Sequence, residues 1–276
     1  LSIRWVLLAS QAIGKSKGYN LLMSEDVLAA IDSIKKLGIK VRIQKNYCEI
    51  VGNGINGFKY NKNLTIDAKN SGTLGRLILG LLIKSPKKIK IIGDKSLSKR
   101  DFSRVTTPLR KFGVKFSYKI KNKLPLTILG TQSVKAIKYF ENKGSAQCKS
   151  SVMLAALNAS GTTSIKAKKS RNHTELLFKY LKIPIKVRKA KKFDFIDIKK
   201  PKKINAFNYQ IPGDISSSAF FMVLTTLADN SKLLIKDVNI NSSRVGVITI
   251  LKKMGAQMTL KNQKNYRGEK ISDILI

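Results

Sequence analysis

A chain of 276 residues with 43% hydrophobic side chains and only six prolines is long enough for one large domain and part of a second, and its composition excludes a disordered polypeptide. Its formal charge of +38 would suit polyanions or small phosphorylated molecules, yet only ten of the 54 basic residues are Arg, and Lys scattered beside abundant Ile and Asn is what compositional drift produces unaided. Cys48 and Cys148 share neither a CxxC spacing nor more than a single His, so neither a disulfide framework nor a metal site is indicated, and the longest apolar runs fall short of the roughly 18 residues that cross a bilayer.

The chain opens on Leu1, without Met, inside an apolar segment that predicts a helix over 4–13; this start reads as cut, with residues expected before it. Helix-like segments of the same apolar kind follow at 73–82, 150–159 and 217–228, each expected to be buried on most sides. A second, Lys-rich helix follows each one. These open at Ser24, Ser98, Ser170 and Ser242, where a hydroxyl can cap the helix, and three of them close at Gly38, Gly113 and Gly255, where a left-handed residue is expected. The third breaks the pattern with Lys182. Short β-type runs lie between the helices at 89–92 and 233–238, paired runs follow at 41–44 and 48–51, and leading strands are expected at 64–67, 136–140 and 208–211.

The chain is therefore α/β, a β-α-β-α-β-β unit repeated four times with a period of about 72 residues. The first unit lacks a leading strand, which predicts an unpaired place in its sheet. Residues 1–207 are expected to form a three-unit domain and residues 208–276 the first unit of another.

The apolar helices begin with small polar turns: Asn70-Ser71-Gly72-Thr73, Gly144-Ser145-Ala146-Gln147 and Pro212-Gly213-Asp214. Free N–H groups and the helix dipole make such starts receptive to anions, although for any one of them plain capping is the better explanation. Four of the few Arg, Arg4, Arg76, Arg100 and Arg171, stand at or near helix starts, and guanidinium groups beside helix termini describe a pocket for phosphate and carboxylate. The lone His173 is expected as a cap or on the surface, and Asp214 as a cap. There is no GxGxxG or Walker loop, so no nucleotide cofactor is expected.

At these residues the chain resembles the EPSP synthase family. Leu1-Ser2-Ile3-Arg4 is similar to the end of its Lys-Ser-x-Ser-x-Arg segment, and residues 70–76 resemble its Asn-Ala-Gly-Thr-x-x-Arg loop. Residues 97–110 resemble its Leu-x-x-Arg-Pro segment with Asp101 in place of Pro. Ser145-Ala146-Gln147 with Lys149-Ser150, and Ser170-Arg171-Asn172-His173-Thr174-Glu175, look like segments of its bacterial subgroup.

The resemblance implies the two-domain enolpyruvyl transferase architecture, an inside-out α/β barrel, with four of six units present. It implies that Arg4, Ser145, Ala146, Gln147, Ser170 and Arg171 hold shikimate 3-phosphate. Gly72, Arg100 and Gln147 would hold phosphoenolpyruvate in a pocket shaped by Asn70. No catalytic residue is assigned, because the family's proton-transfer groups would lie beyond Ile276 or before Leu1, and the fragment is expected to be inactive alone. The implied partners are these two small anions, with no cofactor, no metal, no nucleic acid and no membrane, and the implied setting is a cytoplasmic monomer.

Two other classes compete. The enolpyruvyl transferase acting on UDP-N-acetylglucosamine carries a reactive Cys in the loop corresponding to 97–104, where this chain has none. A basic RNA-binding repeat protein would display aromatic platforms interleaved with basic residues, whereas aromatics here are 7% and mostly at core-like positions.

Overall fold

The computed structural model describes residues 1–60 and 64–276. The first repeat comprises α1 (Ser2–Ser10), β1 (Ile13–Tyr19), α2 (Glu25–Lys36), β2 (Lys40–Ile43) and β3 (Tyr47–Asn53). The second is β4 (Leu64–Asp67), α3 (Gly72–Leu81), β5 (Ile89–Ile92), α4 (Lys95–Lys99), α5 (Ser103–Arg110), β6 (Lys115–Tyr118) and β7 (Leu126–Leu129). The third is β8 (Lys138–Glu141), α6 (Ala146–Ala156), β9 (Thr162–Lys168), α7 (His173–Tyr180), β10 (Ile185–Lys189) and β11 (Phe193–Lys199). After β12 (Tyr209–Gln210) come α8 (Ile215–Leu227), β13 (Leu234–Asn239), α9 (Gly246–Lys253), β14 (Thr259–Tyr266) and β15 (Glu269–Leu275).

Two compact units result. The first holds Leu1–Ser170 with Leu181–Gln210, and the second holds Arg171–Tyr180 with Ile211–Ile276. The division expected at 207/208 thus falls after Gln210, and α7 groups with the second unit. Within that unit, α7 is held by Asn172 accepting from Asn241 Nδ2 at 2.8 Å, by the His173 pair with Glu269, and by Leu176 against Gly268.

Among the described residues, the first unit contains three sheets with one topology. In the orders β4-β5-β7-β6 and β8-β9-β11-β10, the leading strand runs parallel to the next strand, and the remaining pairs are antiparallel. The first sheet has the order β12-β1-β3-β2, with β12 parallel to β1. The unpaired place expected there is therefore filled: Gly18 pairs with Tyr209 and Tyr19 with Gln210, so the strand expected to lead the fourth unit completes the first. In the second unit, β13-β15-β14 has only an isolated parallel bridge, Gly213 to Val238, at the leading place.

The core of the first unit is built from α1, α3 and α6. Trp5, Leu7, Leu77, Ile78, Val152 and Met153 are all fully buried, as expected for helices apolar on nearly every side. α3 packs on both α1 and α6, and Gly80 permits the close approach: a Cβ there would lie 2.2 Å from the Ser151 carbonyl oxygen.

Local chemistry corrects several boundaries. α1 ends at Ser10, short of residue 13, because Ile13 N–H donates to the Ile204 carbonyl at 2.8 Å and the chain enters β1. The helix expected to open at Ser98 is two helices. Asp94 Oδ1 caps α4 by accepting from Leu97 N–H at 2.6 Å, Arg100 is extended, and Asp101 Oδ1 accepts from Ser103 N–H at 2.8 Å where α5 begins.

Serine capping of the second helices fails elsewhere too. Ser24 makes no side-chain cap bond, Ser98 Oγ donates to the Gly93 carbonyl, and α7 and α9 begin beyond Ser170 and Ser242. Gly38, Gly113 and Gly255 do take left-handed backbone, and Lys182 adopts it without glycine at φ 54°.

Candidate anion-binding site

Besides the Asp94 cap of α4, side-chain caps form on three of the apolar helices. Ser71 accepts from Leu74 N–H at 3.2 Å, Ser145 from Cys148 N–H at 3.3 Å and Asp214 from Ser217 N–H at 3.1 Å. These hydroxyls and this carboxylate are occupied by their own helices.

Around α3, four of the expected residues meet. Arg76, one turn into the helix, donates to Gln147 Oε1 at 2.6 Å and to the Gly72 carbonyl at 3.3 Å, and Gln147 Nε2 donates to Thr73 Oγ1 at 2.9 Å. A Cβ on Gly72 would lie 2.8 Å from Arg76 Nη1 and 3.1 Å from Arg100 Nη1. The absent side chain is what lets two guanidinium groups converge over a helix N-terminus. Asn70 is drawn to the same place, donating from Nδ2 to Asp94 Oδ2 at 2.5 Å. Phe102 lies 5.4 Å beneath the Arg76 guanidinium.

The cluster is strongly cationic. Burial, then the positive charges of Arg100 and Arg104, push the Arg76 guanidinium below its usual pKa, partly offset by Cys148 and Asp101. A bound anion would relieve that repulsion. Asp94, the nearby carboxylate, is held below the usual range by the Leu97 N–H and the Asn70 amide.

Along α6, Arg4 Nη2 donates to Ser150 Oγ at 3.3 Å, while Ala146 is the first helical residue and is buried. The loop before α6 is fixed by Glu141, whose carboxylate accepts from Gly144 N–H at 2.8 Å and Lys143 N–H at 3.1 Å. Ser170 follows Lys169, whose carbonyl lies 3.6 Å from where a Gly144 Cβ would stand, and Ser170 Oγ is buried without a hydrogen-bond partner.

In the second unit, Arg171 is pushed below its usual pKa by burial and then by Arg244, with Asp214 opposing. Arg244 pairs with Asp214 at 3.3 Å and bonds Ser216 Oγ. His173 is not on the surface. It is 4% exposed, and its Nδ1 lies 2.6 Å from Oε1 of Glu269, which is fully buried. Two neighbours were given no role from sequence, Thr73 and Asp94; an Asp three residues before Leu97 was a readable cap signal for the second, and Thr73 stood in the polar helix start and in the family-like loop without a part assigned to it.

The family model described as EPSP synthase (3-phosphoshikimate 1-carboxyvinyltransferase) matches residues 1–274. The chain belongs to the EPSP synthase family. It is 41% identical to the 3-phosphoshikimate 1-carboxyvinyltransferase of Ruthia magnifica, over 100% of this chain and 62% of that protein. With the enzyme of the same name from Oceanobacillus iheyensis it shares 38% identity, over 100% of this chain and 63% of the relative.

A solved structure of EPSP synthase from Acinetobacter baumannii matches with a TM-score of 0.89 at 34% identity, covering 100% of this chain and 61% of that one. The fold is that family's α/β architecture, and the chain spans under two thirds of the length of these relatives.

Proposed function

We propose that this chain supplies the substrate-binding part of a 3-phosphoshikimate 1-carboxyvinyltransferase, cytoplasmic and monomeric, within aromatic amino-acid biosynthesis. In this reading residues 1–210 are the three-unit binding domain, its first sheet completed by β12, and residues 211–276 begin the second. The observation that carries it is the paired approach of Arg76 and Arg100 over Gly72, with Gln147 fixed by Arg76 and Thr73. Two guanidinium groups and free helix N–H donors suit the phosphate and carboxylate of phosphoenolpyruvate, and Gln147 can reach both substrates. Arg4, Ser145, Ala146, Ser170 and Arg171 would hold shikimate 3-phosphate, and the unpartnered Ser170 Oγ fits a ligand contact.

The proposed reaction adds the 5-hydroxyl, which gives up its proton, to C2 of phosphoenolpyruvate as C3 takes a proton; the tetrahedral intermediate then loses a proton from C3 as it expels phosphate, giving the enolpyruvyl ether. The residues around Gly72 are donors, so their part is to orient both anions and to stabilise charge on the phosphate and carboxylate as the intermediate forms and collapses. Proton transfer needs other groups.

Calorimetry on the 276-residue chain tests this. Shikimate 3-phosphate should bind, and phosphate should not be released from the two substrates together. Gly72→Ala should weaken phosphoenolpyruvate binding about tenfold or more while the melting temperature barely moves, because only flexible guanidinium ends must shift. No heat with shikimate 3-phosphate, or unchanged phosphoenolpyruvate binding in Gly72→Ala, would sink the assignment; steady phosphate release would show that the chain needs no further groups.

A further inference from the structure

The outer face of the β8-β9-β11-β10 sheet carries chemistry that the anion site does not use. The register sets Phe140 beside Lys166, Lys166 opposite Phe195, and Phe195 opposite Arg188. One row therefore crosses four strands as aromatic, cation, aromatic, cation. On the same face the neighbouring row runs Lys138, Ser164, Asp197, Lys186, and on the other side Lys168 stands opposite Phe193.

Side-chain geometry follows the register. Lys166 Nζ lies 5.1 Å from the Phe140 ring centroid and 4.8 Å from that of Phe193, and the Arg188 guanidinium lies 4.2 Å from that of Phe195. Phe140 and Phe193 meet edge to face at 5.6 Å. Phe140 is 51% exposed. A groove of ≈ 660 Å³ runs along this face, lined by Lys111, Lys138, Lys166, Lys186 and Arg188 with Phe140 and Phe195 among its walls. The carboxylate on this face, Asp197, accepts from Ser164 Oγ at 2.6 Å.

We propose that this face binds single-stranded nucleic acid, with bases stacking on Phe140 and Phe195 and phosphates meeting Lys138, Lys166, Lys186 and Arg188. The cations are spread across four strands, about 14 Å from first to last, instead of converging on one point, which suits a polyanion better than a small phosphate. The aromatic faces between them select for bases that are free to splay out, because bases paired inside a duplex cannot stack on a sheet surface. An acidic peptide would use the cations and leave the rings idle. This departs from the sequence expectation of no nucleic-acid partner: these three phenylalanines stand on the outer face of a sheet and not at core positions.

Fluorescence anisotropy with a labelled 12-nucleotide oligouridine and an RNA duplex of equal length tests the proposal at fixed salt. The single strand should bind more tightly than the duplex. Phe140→Leu with Phe195→Leu should weaken single-strand binding about tenfold or more and leave heparin binding unchanged. Lys166→Gln with Arg188→Gln should flatten the salt dependence by about 1.4 in log–log slope. Phe140→Leu alone, at a half-exposed site that tolerates change, should weaken binding about fivefold, so a misfolded double variant leaves a usable test. Equal affinity for the duplex, or affinity for the single strand unmoved by loss of the rings, would overturn the proposal.

Discussion

The two compact units treat the same kind of helix in opposite ways. α1, α3 and α6 are apolar nearly all round and lie buried in the first unit, where α3 packs on both of the others. α8 is just as apolar, yet in the second unit Phe220 is 81% exposed and Leu227 78%, with Phe221 and Leu224 also open. Its small core is confined to one side, where Ile215 and Met222 pack with Val238, Ile248, Leu251 and Ile274. Sequence makes the helix, and burial then depends on how many sheets and sister helices stand around it. The first unit has three repeats to do this and the second has one.

The largest test of this contrast is a matched pair of truncations. Leu77→Ala on α3 should cost about 2–5 kcal/mol, followed by urea unfolding monitored at Trp5, because it opens a cavity in a closed core. Leu224→Ala on α8 should change stability by no more than about 0.5 kcal/mol, since that side chain is already mostly in water. Equal costs would break the comparison.

A middle-sized effect should come from the buried polar cluster of the second unit. Glu269 accepts from Asn239 Nδ2 at 3.0 Å and Asn241 Nδ2 at 3.1 Å and pairs with His173. Burial alone would raise its pKa, but the bond and charge of His173 and the two amides outweigh burial and hold the carboxyl below its ordinary value of 4.5. A depressed folded pKa stabilises above the unfolded value, so this contribution should be intact above about pH 4.5 and should fade as pH falls through the lower folded value. Glu269→Gln should reduce hydrogen-exchange protection in β15 by about 1–3 kcal/mol at neutral pH and remove that acid dependence. Unchanged protection would show that the network is ornamental.

The smallest signal is a clock on the first unit. Both cysteines lie there and are buried; burial pushes the Cys48 thiol up to about 11, against the smaller pull of Lys35, and burial likewise raises Cys148. At pH 8 both should react with a disulfide reagent only as fast as the first unit opens. If the second unit is the weaker, helical circular dichroism should begin to fall in urea before the thiols become reactive. Coincident transitions would mean that the two units melt together.

Much of this fold is readable from sequence, for identifiable reasons. Apolar helices, left-handed glycines and alternating strands are local signals, so the four repeats emerge directly. The break at Arg100-Asp101 does not, because Asp94 caps a short α4 and Asp101 accepts from Ser103 N–H at the start of α5, where one serine was expected to cap a single long helix. His173 was expected near solvent because its partner lies 96 residues away. Family likeness pointed to Asn70, Gly72, Arg100 and Gln147, but their convergence through Arg76 and Thr73 is tertiary geometry. The outer-face phenylalanines were invisible for the opposite reason, since exposure is decided by which face of the sheet meets the core.

The strand at Tyr209–Gln210 has a temporal side. It closes a sheet whose other members lie within the first 53 residues, and Lys17 N–H reaches across 191 positions to Asn208. A growing chain emerges from its N-terminus, so β1 waits with an open edge until almost all of the first unit has been made. Pairing across such a span is slow to form, and for that interval the chain depends on other means to keep an exposed edge from pairing with neighbours.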